Sequence, residues 1–197
     1  MKSIGREAGP IVTTAMPESS TRPFLDVGFK EVDALHLLEL GIDPEPYVTS
    51  SRLSETTESE VALVSARPRH LEQVLEIDKS SFEPLWQLDA TGLREARKAT
   101  PTNRYRVAVG DAVRAYAICG AAGTTSYLQR LATHSDARRQ GLGSLLVADG
   151  VEWARRLGSR RMLVNTQVTN YGAIDAYKAM GFELLPDRLH VVEYREP

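Results

Sequence analysis

Residues 127–146, YLQRLATHSDARRQGLGSLL, contain the pattern that decides the fold. The stretch begins with strand-like character, and from Leu142 onward leucines recur at the spacing of an amphipathic helix. Between the two elements lies the basic turn 138–143, RRQGLG. Glycines at 141 and 143 let main-chain N–H groups approach a ligand, and the N-terminus of a helix attracts anions. The stretch therefore predicts a strand, a turn and a helix that together hold a pyrophosphate, with a solvated helix cap as the alternative.

A second segment downstream makes the first more specific. Residues 163–182 read LVNTQVTNYGAIDAYKAMGF, with an asparagine at 170, a tyrosine at 177 and Gly-Phe at the end. The turn is neither a P-loop nor a dinucleotide fingerprint. Instead, Arg138-x-x-Gly141-x-Gly143 matches the Q/R-x-x-G-x-G/A signature of the GNAT acetyltransferases, and the second segment resembles the part of that family that surrounds the arm of CoA. The resemblance covers about residues 61–197 and is nearest to the RimI-type ribosomal-protein N-terminal acetyltransferases.

The resemblance implies an α/β fold of the GNAT acyl-CoA N-acyltransferase type, with a mixed central sheet flanked by helices. It also implies an acetyl-CoA-dependent N-acetyltransferase that moves the acetyl group directly to a primary amine of a peptide or protein, such as a protein N-terminus. A bulge on the strand before the turn supplies main-chain amides in the family, here at residues 131–133. The residues that the resemblance assigns to acetyl-CoA are Leu131, Ala132, Thr133, Arg138, Arg139, Gln140, Gly141, Leu142, Gly143, Ser144, Asn170, Ala173 and Tyr177.

Only some of the catalytic residues of the family have a counterpart in this chain. Tyr177 occupies the position of the family tyrosine near the CoA sulfur and is the predicted general acid; packing of its ring is the alternative. The ribosomal-protein enzymes carry a glutamate base on the preceding strand, where this chain has Asn165. An amide cannot take a proton at neutral pH, so the base is left to Glu83, to His134 or to a water chain, with Asn165 binding the amine or that water.

Composition bounds the function further. Lysine plus arginine number 24 against 26 aspartates and glutamates, a net charge of −2, which argues against a general nucleic-acid binder. Cys119 is the only cysteine, so the chain has no intramolecular disulfide and no cysteine spacing for a metal. No apolar run is long enough for a membrane span and no signal-like segment follows the first residues. We expect a cytoplasmic protein without a metal or membrane partner, in which a homodimer is compatible with the pattern.

The order of predicted elements follows from periodicity and turn residues. Residues 41–60 are rich in Pro, Ser, Thr and Glu and predict a linker to the acetyltransferase domain of residues 61–197. Within that domain the helices are expected near 68–80, 89–99, 142–157 and 172–180. The strands are expected near 61–66, 105–109, 112–121, 126–133, 161–167, 182–184 and 189–194.

Residues 1–40 form an N-terminal extension that echoes the C-terminus. The segment 24–29, FLDVGF, parallels 177–182, YKAMGF, and the segment 35–37, LHL, parallels 189–191, LHV. One hypothesis is that residues 9–40 are the rear half of a second, degenerate GNAT unit, which would add strands and a helix to the main sheet or pair with another subunit. Chance similarity within an α/β sequence is the other.

Two further functions stay open at this point. The missing glutamate and the degenerate repeat are compatible with an acyl-CoA-binding regulatory protein that has little catalytic activity. A small-molecule amine acetyltransferase would carry the same donor motifs. The motifs identify the acyl donor and leave the acceptor unassigned.

Overall fold

The computed structural model describes residues 10–43 and 61–195, so most of the predicted linker lies outside the described residues. The helices are α1 (Arg22–Asp26), α2 (Leu71–Ser81), α3 (Ala90–Lys98), α4 (Leu142–Arg156) and α5 (Tyr171–Ala179). The strands are β1 (Ile11–Val12), β2 (Met16–Pro17), β3 (Lys30–Gly41), β4 (Ala62–Ser65), β5 (Thr102–Val109), β6 (Val113–Ala122), β7 (Thr125–Thr133), β8 (Arg161–Gln167) and β9 (Glu183–Tyr194). None of the described helices is both long and apolar enough to cross a membrane.

These strands form a single sheet in the order β1-β9-β3-β8-β7-β6-β5-β4, with β2 paired to β9. The ladders between described strands are antiparallel except for the one between β7 and β8. The predicted mixed α/β sheet flanked by helices is therefore confirmed, as is the hairpin of β5 and β6.

Two apolar cores cover the two faces of the sheet, because side chains alternate between the faces along each strand. On one face, Met162 and Val164 of β8 pack with Leu146 and Val151 of α4 and with Tyr177 of α5. On the other face, the buried core contains apolar residues of α2, α3, β5 and β6, namely Val74, Ile77, Leu93, Val107, Tyr116 and Ile118. The sheet thus separates an α4/α5 face from an α2/α3 face.

The C-terminal strand differs from the prediction of two short strands near 182–184 and 189–194. Residues 183–194 form one strand, β9, because β3 provides a partner along nearly its whole length. Its register with β3 shifts between Leu184 and Arg188, where four residues of β9 span only two of β3. Pro186 lies in that shift, where its missing N–H removes no ladder hydrogen bond. Pro186 is therefore accommodated in an irregularity of a continuous strand.

The N-terminal strand β3 lies inside the sheet, between β8 and β9. Its approach repeats that of β9: α1 and α5 each end before a left-handed glycine, Gly28 (φ 99°) and Gly181 (φ 91°). The N–H of Phe29 and that of Phe182 then donate to the carbonyl five residues earlier, at 3.1 and 3.0 Å. Moreover, β1 pairs with β9 as β8 pairs with β3. The half-repeat hypothesis requires such features, and we retain it as a proposal.

Candidate active site

The central feature of the site is a split between the two parallel strands. Strands β7 and β8 pair only from Thr125 with Arg161 to Leu128 with Val164. Beyond that point β7 stays paired with β6 up to Thr133, whereas β8 stays paired with β3 up to Gln167. Because each strand follows its outer neighbour, the inner edges separate and a cavity of about 580 Å³ opens between them. We call it the donor cavity.

A β-bulge marks the start of the split. The register between β6 and β7 shifts at Gln129, the residue between Leu128 and Arg130. The family resemblance placed the bulge at residues 131–133, but these pair regularly with residues 115–117, so the bulge lies two residues earlier than expected. A bulge leaves one residue unpaired and increases the local twist. The side-chain Oε1 of Gln129 is buried and has no hydrogen-bond partner within the described residues.

The turn before α4 has the geometry of an anion cradle. Arg139 (φ 61°) and Gly141 (φ 78°) both adopt left-handed conformations, an arrangement in which nearby main-chain N–H groups converge. Helix α4 begins at Leu142, and its N-cap Gly141 offers no side-chain cap. The first N–H groups of the helix are therefore available to an anion. A Cβ added at Gly143 would lie in ordinary van der Waals contact with Thr133 and Leu131, at 3.8 and 3.9 Å, so it would point toward the end of β7 that lines the cavity.

Positive charge is concentrated at this turn. Arg138 and Arg139 line the donor cavity and form no ion pair within the described ranges. By contrast, two arginines at the other end of α4 are both 2.8 Å from Glu152, a contact that lowers the pKa of that carboxyl to about 2. The side chain of Gln140 is turned to the carbonyl of Asp136, at 2.8 Å, and does not line the cavity. The uncompensated charge and the main-chain geometry fit the pyrophosphate of CoA.

Tyr177 and Asn170 lie on the α5 side of the donor cavity. Tyr177 is only 7% exposed, packs against Phe182 with ring centroids 5.6 Å apart, and has its pKa raised by burial. Asn170 is the N-cap of α5, and its side chain accepts from the N–H of Ala173 at 3.3 Å. Its amide also donates to Thr166 at 3.1 Å. The capping role of Asn170 and the packing of Tyr177 are therefore both present, and neither prevents contact with a ligand in the cavity.

The predicted base candidates are separated by the fold. Asn165 is exposed on β8 and lines the donor cavity. Glu83 is also exposed but does not line it, although its neighbours Phe82 and Trp86 do. His134 lies outside the lining as well, and its Nδ1 accepts from the N–H of Asp136 at 3.3 Å. Only Asn165 of the base and amine-binding candidates therefore lies in the cavity wall.

A buried ionic network, which sequence analysis missed, fixes residues 82–86 at the mouth of the cavity. Asp78 of α2 is fully buried and accepts from the hydroxyl of Tyr116 and from Nε of Arg130, the latter at 2.8 Å. Arg130 in turn donates to the carbonyl of Trp86 at 2.6 Å and stacks 3.4 Å from the ring centroid of Phe82. In the sequence, the signal for this network is the charged residue Arg130 in the middle of a half-buried strand.

Asp33 was missed for a similar reason. Asp33 is an acidic residue that lies on the same face of β3 as Leu35, the face directed toward α2 and α3. One carboxylate oxygen accepts from the indole N–H of Trp86 at 2.8 Å and from Nε2 of Gln167 at 2.9 Å. The other oxygen accepts from the N–H of Ala34 at 2.7 Å. The N-terminal segment therefore binds both sides of the split, through the 82–86 loop and the end of β8.

The sequence profile of the acetyltransferase (GNAT) family matches residues 71–182, which contain the split, the cradle and Tyr177. No curated protein matches the chain.

Solved structures share the fold at low sequence identity. A GCN5-related N-acetyltransferase from Sphaerobacter thermophilus has a TM-score of 0.64 and 14% identity over 95% of this chain and 60% of its own. A tandem GNAT protein from the clavulanic acid biosynthesis pathway has a TM-score of 0.64 and 18% identity, over 95% and 65%. The ribosomal-protein-S18-alanine N-acetyltransferase from Escherichia coli has a TM-score of 0.58 and 15% identity, over 68% and 92%. The chain thus spans 60% of the length of the Sphaerobacter protein.

Proposed function

Because this chain belongs to the acetyltransferase (GNAT) family, we propose that it transfers an acetyl group from acetyl-CoA directly to a primary amine of a peptide or protein. The observation that carries the proposal is the split between β7 and β8, with an uncapped helix N-terminus and two unpaired arginines at one end. Acetyl-CoA supplies the acetyl group as a thioester.

In this proposal the residues of the donor cavity bind and orient the donor. The N–H groups at the start of α4, together with Arg138 and Arg139, hold the pyrophosphate. The inner edge of β7 beyond Leu128 has no strand partner across the split. Its free main-chain N–H groups donate to the thioester carbonyl oxygen as negative charge develops there. Loss of one such donor typically lowers the rate by about 10²–10³-fold.

Tyr177 protonates the leaving sulfur. Proton transfer from a free phenol, with a pKa of about 10, to the thiolate of a thiol with a pKa of about 8.5 is uphill, so the surroundings must narrow that gap. Burial raises the pKa of Tyr177 and so makes it a weaker acid, but the same burial destabilises a thiolate beside it and raises the pKa of that thiol as well. The phenol consequently stays protonated at neutral pH and is available as the acid.

The amine loses one proton as the carbon–nitrogen bond forms. Asn165 lines the cavity but cannot accept a proton, so we assign it to hydrogen bonding of the amine or of a water molecule. The proton then leaves through water to solvent. This assignment balances the reaction: one proton leaves the amine, and Tyr177, which gives its proton to sulfur, is reprotonated from solvent.

A peptide acceptor is supported by the fold likeness to the S18-alanine N-acetyltransferase, although the glutamate expected for the ribosomal-protein enzymes is Asn165 here. The experiment is to incubate the protein with acetyl-CoA and a panel of peptides, lysine-containing peptides and small amines, and to measure free thiol. Thiol release with peptides and their acetylation support the proposal. Calorimetric binding of CoA with no thiol release across the panel would instead identify an acyl-CoA-binding regulatory protein.

A further inference from the structure

A second cavity lies on the α2/α3 face of the sheet, beside the start of the split. It has a volume of about 400 Å³, and its wall includes Leu37 of β3, Tyr127 of β7, Leu163 of β8 and Leu189 of β9. Leu163 faces away from the α4/α5 core because it alternates with Met162 and Val164 along β8. The volume is within the range of small-molecule and side-chain pockets.

We propose that this second cavity receives the group that carries the acceptor amine, and that it takes an uncharged, apolar group such as the first side chain of a peptide. The proposal rests on the proposed acetyl transfer and specifies its acceptor. The cavity shares Leu128, Gln129, Val164 and Asn165 with the donor cavity. These are the residues at which β7 and β8 stop pairing. An amine attached to a group in the second cavity therefore points into the split.

The lining determines the class of acceptor. Among the described residues that form its wall none carries a charge at neutral pH, whereas the donor cavity is lined by Arg130, Arg138 and Arg139. A charged group entering the second cavity would lose hydration without gaining a counter-charge, which is unfavourable. An apolar group would instead remove leucine surface from water, which is favourable. The cavity is consequently unsuited to phosphates, polyamines and charged side chains.

Gln129 supplies a polar contact at the junction of the two cavities. Its Oε1 is buried and unpartnered in the described parts of the chain, and buried acceptors are normally satisfied. A primary amine has N–H groups to donate, so an acceptor amine at the junction satisfies this oxygen. Asn165, exposed in the wall of both cavities, offers a second amide beside it.

The test uses amidated peptides that differ only in the first residue, Leu or Phe against Glu or Lys, with kcat/KM measured by thiol release. We expect the apolar peptides to exceed the charged ones by at least about tenfold, the ratio typical of discrimination by an apolar pocket. Equal or greater kcat/KM for the charged peptides would overturn the proposal. Peptide binding in the presence of CoA, measured by calorimetry, gives a readout independent of turnover.

Two variants localise the effect. Gln129→Leu keeps the size of the side chain and removes the acceptor, and should raise KM for the Leu peptide about tenfold. Leu163→Glu should lower kcat/KM for the Leu peptide relative to that for the Lys peptide. Leu184 is exposed and lies outside the cavity, so Leu184→Glu should leave this ratio unchanged. If CoA and the Leu peptide both bind but no thiol appears, the acetyl transfer fails and the cavity assignment stands. If CoA binds and the Leu peptide does not, the cavity assignment fails.

Discussion

Replacing Asp33 by Asn tests whether the N-terminal strand fixes the mouth of the active site. One oxygen of Asp33 accepts from Trp86 at 2.8 Å and from Gln167 at 2.9 Å. In Asp33→Asn an NH₂ group takes the place of one carboxylate oxygen. If the remaining oxygen keeps the contact with Ala34, both donors lose their acceptor. If the amide flips, the Ala34 contact is lost and the other bonds become neutral.

The magnitude follows from these contacts. A hydrogen bond to a charged group contributes about 1.5–3 kcal/mol. Asp33 is half-buried, so we take the lower end and expect the free energy of unfolding to fall by about 2–3 kcal/mol. Trp86→Phe removes the indole N–H donor together with part of the aromatic surface, and the cycle cancels the change in surface to the extent that it is independent of Asp33. The double-mutant cycle of Asp33→Asn with Trp86→Phe should therefore give a coupling of about 1 kcal/mol.

Chemical denaturation of the four proteins of the cycle measures the coupling. The control is Glu39→Gln, which removes a 3.1 Å ion pair of the same strand with the exposed Arg161 and should be additive with Trp86→Phe. Because Trp86 and Gln167 both line the donor cavity, loss of Asp33 should also weaken CoA binding. A coupling within about 0.3 kcal/mol of zero would refute the reasoning, since distant independent sites are additive to that extent.

Four further perturbations test other parts of the account. Tyr177→Phe should lower kcat by at least about 10²-fold and reduce CoA affinity much less, and equal turnover would remove Tyr177 as the acid. Gly143→Ala should weaken CoA binding by about tenfold in calorimetry without lowering the free energy of unfolding, whereas Gly41→Ala should leave CoA affinity unchanged. Burial raises the pKa of Cys119 to about 12, so the native thiol should not react with an aromatic disulfide at pH 8, and rapid labelling would contradict this. Deleting residues 1–43 removes β3 from between β8 and β9 and should yield an insoluble protein that a peptide of residues 10–43 rescues; a soluble, folded truncation would contradict the interior role of β3.

The elements around the cradle could be predicted because their patterns are local. Strand β8 spans the predicted residues 161–167, and α4 ends within one residue of its expected position. The half-repeat hypothesis, which rests on the echo of 177–182 in 24–29, would place strands and a helix in this region, and the structure has α1 and β3 there. The position of β3 did not follow, because the choice between possible strand partners depends on packing across the whole sheet and not on the periodicity of one strand.

The parts of the site that escaped prediction depend on long-range contacts. Asp33 binds Trp86 across 53 positions and Gln167 across 134, and Arg130 binds Asp78 across 52. The bulge at Gln129 is likewise a property of two strands in register, so a motif on one strand located it only to within two residues. The cradle could be predicted from the sequence because an anion site built from one turn and one helix is encoded in consecutive residues.

The most direct test of direct acetyl transfer is the fate of an isotopically labelled acetyl group. The protein is incubated with labelled acetyl-CoA and a peptide that begins with Leu. The masses of the peptide and of the protein are then measured by mass spectrometry. Direct transfer predicts one labelled acetyl group on the peptide amine for each thiol released, and none on the protein. Label on the protein in place of the peptide, or on neither, would contradict it.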